Sequence, residues 1–144
     1  LFHGLALPQM RVGKHSPYTD YGRAVASGRA IDRYTFRTPP LRNVIETGPW
    51  GHNGSLNTLA EMIVHHGNPV PVLYRAQSTD PEQGIYSGQL LAHRSTLFAE
   101  MAPLSGSDVE LLIQFLSALS SSTVLENYQA VPVSVPSENN QFIQ

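Results

Sequence analysis

No cysteine occurs anywhere in the 144 residues. Within this chain that excludes disulfides, thiolate metal sites and a cysteine nucleophile. Charge is scarce too: charged residues make up 14%, and nine Lys and Arg against eleven Asp and Glu leave a formal net charge of −2. The basic residues are scattered, so no electrostatic footprint for nucleic acid is present. No apolar run approaches the roughly 18 residues that a bilayer-spanning helix requires. The chain opens at Leu1 without a methionine or a signal-peptide pattern, which reads as a mature product, a fragment or a trimmed chain. The familiar catalytic signatures are missing as well. There is no G-x-S-x-G, P-loop, H-E-x-x-H or dinucleotide fingerprint, and the carboxylates form no pair at catalytic spacing.

Proline and glycine are abundant, eleven of each, which points to long ordered loops. Residues 1–40 are punctuated by Gly4, Pro8, Gly13, Pro17, Gly22 and Gly28 and read as irregular, with one short helical turn. The Tyr34–Val44 stretch is expected to be extended, because residues before prolines avoid the helical region. Thr47–Ser55, TGPWGHNGS, is a turn-rich loop. A helix is expected from Thr58 to His66, opened by a Thr58-x-x-Glu61 capping box and stopped by Gly67 and Pro69. Residues 68–103 read as loop again, with a possible helical stretch around Gly88–His93. A second clear helix is expected over Asp108–Leu119, opened by Ser107 and Glu110. Its apolar face is Val109, Leu112, Ile113, Leu116 and Leu119, widened by Leu111 and Phe115. From Ser120 the chain reads as an extended tail.

Six histidines offer chemistry: His3, His15, His52, His65, His66 and His93. Helical spacing separates the adjacent pair. His66 continues the inward stripe of Leu59, Met62 and Ile63, whereas His65 lies about 100° round the helix. At i+4 from Glu61, His65 is expected in a solvated pair. An inward imidazole at a helix end serves either as a core histidine bonded to a carbonyl or as a metal or haem-iron ligand. His52 lies between two glycines in Trp50–Gly54, WGHNG, either an ordinary surface turn or a place of close backbone approach to something planar, beside the large wall of Trp50. Arg37, Arg42 and Asn43 either clamp carboxylates or pin their loop.

The run Arg33–Val44, RYTFRTPPLRNV, followed by Glu46–Leu56, ETGPWGHNGSL, resembles the di-haem cytochrome c peroxidase and MauG superfamily. The helix behind the H-x-G motif and the later Leu104–Leu119 stretch, LSGSDVELLIQFLSAL, fit the same pattern, and Val131–Ser137 is similar to the closing strap of some members. The resemblance implies a mainly α fold: a cytochrome c-like haem-domain portion with few helices and long ordered loops. It implies one unit, 1–144, with a haem- and calcium-contacting segment at 1–57, a helical segment at 58–119 and an extended tail at 120–144.

Carried over by position, the distal axial ligand of the family's C-terminal haem falls fourteen residues beyond the loop histidine, on His66. Methionine or tyrosine is usual there, so His66 departs from both. The resemblance also implies that Arg42, Trp50 and His52 line the haem edge, with His52 supporting rather than ligating. It places a calcium ion on the backbone carbonyls of Thr47 and Pro49. Covalent haem c attachment needs C-x-x-C-H, absent here, so the haem is expected on an upstream portion or a separate chain, through processing or a split gene. The implied activity is peroxide reduction or peroxide-dependent oxidation, with this chain on the distal side of the electron-relay haem. A small cytochrome or copper protein is the expected donor and the periplasm the expected compartment. The alternatives are an electron-transfer cytochrome subunit without peroxidase activity, or a haem-free structural subunit.

Overall fold

The computed structural model describes residues 1–9, 19–79 and 83–121. Across them the chain is mainly α-helical, with one two-stranded antiparallel ribbon. Strand β1 (Phe2–His3) pairs with β2 (Phe36–Arg37), setting Phe2 opposite Arg37 and His3 opposite Phe36. Between them lies a short helix α1 (Ala24–Ser27). The apolar residues gather in three small clusters rather than one core, and the central helix α2 (Leu59–Gly67) reaches two of them.

Helix α2 starts where the Thr-x-x-Glu signal puts it. Thr58 Oγ1 accepts from the Glu61 amide at 3.1 Å, while the Glu61 carboxylate accepts from the Asn57 amide at 3.3 Å rather than from Thr58 itself. Leu59 and Ile63 pack against Val109 and Leu116 of α6 (Gly106–Ser117). Met62 turns to a second cluster with Leu7, Leu56 and Val72.

Residues 68–103, expected to be mostly loop, instead carry three helices: α3 (Val70–Thr79), α4 (Gln83–Ala92) and α5 (Thr96–Ala99). The misleading signals were Pro69 and Pro71. Proline early in a helix removes only a donor that has no intrahelical partner, so it starts α3 instead of breaking it. The Asn68 side chain accepts from the Val70 amide at 3.1 Å at this start. Leu73 of α3 and Leu90 of α4 then close on Ala6 and Tyr34.

Helix α6 begins two residues earlier than Ser107-x-x-Glu110 suggested. Ser105 is the cap, with a reciprocal box: its Oγ accepts from the Asp108 amide at 3.2 Å and the Asp108 carboxylate accepts from the Ser105 amide at 2.9 Å. The earlier box wins because it sets Leu104 in the same apolar cluster as Val109, an N′–N4 staple that Ser107 would not give. Its serine partner holds the exposed Asp108 carboxyl below the usual carboxylate range. This contribution is therefore present above the ordinary carboxyl range and lost as pH falls from there through the lowered folded-state value. Ser105→Ala is expected to cost about 1 kcal/mol, read by denaturant melts at neutral pH. The apolar face of α6 is also narrower than expected, for Leu111, Leu112 and Phe115 are exposed.

The N-terminal segment folds back over the helices through a glycine. Gly4 exchanges bonds with Ser95, donating to its Oγ at 3.1 Å and accepting from its amide at 3.0 Å. A Cβ on Gly4 would collide with the backbone oxygen of His93, which cannot swing aside as a side chain can. Gly4→Ala is expected to destabilise by about 1–3 kcal/mol, measured as a lowered thermal midpoint.

Candidate functional site

A cavity of about 680 Å³ opens between the β1–β2 ribbon, the WGHNG loop, α2, α5 and the end of α6. Its volume lies within the range of cofactor pockets. Its walls are chiefly apolar: Leu5, Leu7, Val44, Leu59, Met62 and Ile63 line it, with Trp50, Phe36 and Phe98 as aromatic faces. The polar groups on the walls are few. His3, His52, His66 and Arg37 all reach the lining.

His66 is oriented by its own helix. Its Nδ1 lies 2.7 Å from the Met62 carbonyl. A carbonyl can only accept, so Nδ1 carries the proton and Nε2 keeps its lone pair. Histidine ligands to metals are oriented by such a bond at the other ring nitrogen. The Phe98 ring meets the imidazole edge-on, 5.3 Å between centroids and 69° between planes. Burial holds the His66 pKa below its ordinary value, the Met62 bond opposes this, and the Arg94 guanidinium lowers it further. A neutral imidazole is the form that binds a metal.

His65 corrects the expectation of a solvated partner for Glu61. It is 1% exposed, and Nε2–H donates to the Leu5 carbonyl at 2.9 Å. Its Nδ1 is buried without a hydrogen-bond partner among the described residues. Burial pushes its pKa down to about 4. Glu61 bonds instead to Arg75, at 2.7 Å. The physical reason is that α2 has two covered sides: the N-terminal segment around Leu5 lies over the face that a one-sided amphipathic helix would leave wet. Both histidines are thus inward, but only His66 faces the cavity.

The WGHNG loop is built as a wall. Trp50 Nε1 donates to the Val44 carbonyl at 2.8 Å, and Trp50 bridges Leu56 through both backbone groups. The His52 ring stacks flat on Phe36, centroids 3.6 Å apart at 12°. Asn53 ties the loop to the N-terminal segment, donating to the Pro8 carbonyl at 2.7 Å. Gly51 has φ +89 and lies against the Leu7 side chain, where a Cβ would clash.

Thr47 and Pro49 lie on the cavity lining beside Trp50 and His52. Arg42 is exposed and outside the lining, while Arg37, five residues earlier, is on it. Its neighbour Asn43 does the pinning, with Oδ1 accepting from the Ser121 amide at 2.8 Å. Around Thr47 and Pro49 the side chains lend the calcium expectation no support. Thr47 Oγ1 donates to the Val44 carbonyl at 3.1 Å, and among the described residues no three His, Asp or Glu side chains converge as a metal site. His15 and the strap at Val131–Ser137 lie outside the described residues.

Sequence reasoning missed Phe98, His3 and Arg94. Phe98 lies within the 68–103 stretch read as loop, so nothing turned it toward His66. His3 reaches the cavity only because β1 pairs with β2, and two-residue strands leave no periodic signal. Arg94 sits at a helix–helix junction whose partners are backbone oxygens, which have no sequence signature.

No family model matches the chain, and no solved structure matches it significantly. Among curated proteins it is similar to cytochrome c551 peroxidase of Pseudomonas aeruginosa, 28% identical over 118 residues, or 82% of this chain. The chain spans about a quarter (26%) of that relative's length. That similarity supports a distant relationship of this chain to the cytochrome c peroxidase family.

Proposed function

We propose that this chain forms the distal wall of a haem pocket in a peroxidase-type oxidoreductase, with His66 Nε2 as axial ligand to the iron. The observation that carries the reading is the Nδ1–H bond from His66 to the Met62 carbonyl inside an apolar cavity of about 680 Å³. The residues fit the group: Trp50, Phe36, Leu5 and Met62 offer flat apolar surface for a macrocycle, and Arg37 at the lining offers a cation for its carboxylates. Bound haem supplies one-electron redox chemistry. The chain's own residues orient the imidazole, exclude water with aliphatic side chains and set ligand identity.

With no cysteine in these 144 residues, the thioether bonds of a haem c come from polypeptide outside them, an upstream portion or a second chain bearing C-x-x-C-H. The site then works as an electron relay to a peroxide-handling haem elsewhere in the assembly, fed by a small cytochrome or copper protein. Haem c chemistry of this type belongs in the periplasm. Among the described residues no helix is long and apolar enough to cross a membrane.

A second reading is a pure electron-transfer cytochrome subunit. His66, together with a second imidazole from polypeptide outside these residues, would leave no open position for peroxide, and the histidine at position 66 favours this reading. Peroxide turnover by the haem-bearing assembly separates the two. Haemin titrated into the full chain tests the shared claim. Binding at one equivalent is expected, and at a hundredfold excess over Kd it would add about 2.7 kcal/mol, near 8 °C in Tm for a chain of this size. An unchanged Tm and no haem in the native assembly would overturn the reading.

A further inference from the structure

We propose that Arg94 is the positioning residue for the His66 imidazole, locking the end of α2 to α5 so that Nε2 and the Phe98 edge hold a fixed relation to the ligand. The inference rests on the haem reading above and adds a residue that neither the motif pattern nor the apolar stripe marks.

One nitrogen of Arg94, Nη2, donates to three carbonyl oxygens: His66 at 2.7 Å, Gly67 at 3.0 Å and Phe98 at 2.7 Å. The first two end α2, where carbonyls lack intrahelical partners and a cation is favoured. The third belongs to α5. The same two elements supply the imidazole and the aromatic edge that meet at 5.3 Å. A single guanidinium thus fixes both halves of that contact through their backbones. The Arg94 Nε is buried without a hydrogen-bond partner among the described residues, whereas Nη2 serves the carbonyl end. An oriented second shell is worth about 10- to 100-fold in metal affinity at comparable sites.

The test uses the full chain loaded with haemin and reduced to the ferrous state, read by the iron–imidazole stretch in resonance Raman and by haemin affinity. Arg94→Gln is expected to fold, judged by circular dichroism, yet to bind haemin about 10- to 100-fold more weakly and to broaden or lose the stretch. Arg94→Lys, which keeps the charge at the carbonyls, is expected to recover most of both. A folded Arg94→Gln with a lower Tm but unchanged stretch and affinity would make Arg94 a plain structural clamp and overturn the proposal. If Arg94→Gln does not fold, Phe98→Leu decides. It removes the ring edge but keeps the backbone acceptor, and an unshifted stretch at unchanged affinity would overturn the proposal equally. His66→Ala serves as the reference. Loss of the stretch there with no change in the Arg94 and Phe98 variants defeats this inference alone, whereas an unchanged stretch in His66→Ala defeats the haem reading and the inference with it.

Discussion

Replacing His66 by alanine is expected to remove the iron–imidazole bond and turn a low-spin haem in the native assembly into a high-spin one. The change leaves the cavity walls in place, so the macrocycle still finds its apolar surface. What goes is the one nitrogen held ready by Nδ1–H on the Met62 carbonyl. Perturbing groups behind a ligand costs about 10- to 100-fold in affinity, so losing the ligand itself is expected at the upper end or beyond, about 100-fold or 2.7 kcal/mol. Stability of the haem-free chain should fall by only about 1 kcal/mol, because the ring borders the cavity. Optical titration with haemin and the spin state of the assembly are the readouts. An unchanged low-spin spectrum would remove His66 from the account.

The neighbouring histidine is expected to do the opposite. His65→Ala should unfold the chain more readily by about 3–4 kcal/mol while leaving the spin state of any folded, haem-loaded protein unaltered. His65 is among the most buried large side chains, and its Nε2–H is the partner of the Leu5 carbonyl. Alanine leaves that oxygen unpaired and opens a void between α2 and the N-terminal segment. A domain of ordinary stability has about 5–15 kcal/mol in total, so the loss is severe. Urea melts of His65→Ala and His66→Ala, set beside their haem spectra, should show stability and spectrum failing in different variants. A spectral change in folded His65→Ala would contradict this division.

The two histidines also mark how far the sequence could be read. Helical spacing put His66 on the Leu59–Ile63 side correctly for the cavity, because that stripe is continuous and its cap, Thr58, is unambiguous. The same spacing sent His65 to solvent. Periodicity assumes one buried face, and α2 has a second, supplied by Leu5, sixty residues away in sequence. Long-range cover of that kind leaves no local trace.

The RTPPLRN segment, expected extended, opens on β2 at Arg37 and turns at Arg42 and Asn43, while WGHNG is the loop expected, and Trp50 and His52 do reach the cavity. Which arginine borders the cavity was not legible. Arg37 sits on β2 and lines the cavity, while Arg42 follows the turn out to solvent. That choice depends on a two-residue ribbon too short for any alternation pattern. Likewise α3 hid behind Pro69, Pro71 and a mixed polar composition, signals that mark a helix start as readily as a loop, while the helical stretch expected around Gly88–His93 is the second half of α4. Their burial comes from Leu73 and Leu90 meeting Tyr34 and Ala6, contacts that only the folded chain defines.

A density map of the haem-bearing protein tests the central claim most directly. The account predicts a macrocycle in the cavity between Trp50 and Met62, with His66 Nε2 at bonding distance from the iron and Nδ1 still on the Met62 carbonyl. A cavity without a macrocycle, or an iron bound by Met62 or another side chain while His66 points away, would contradict it.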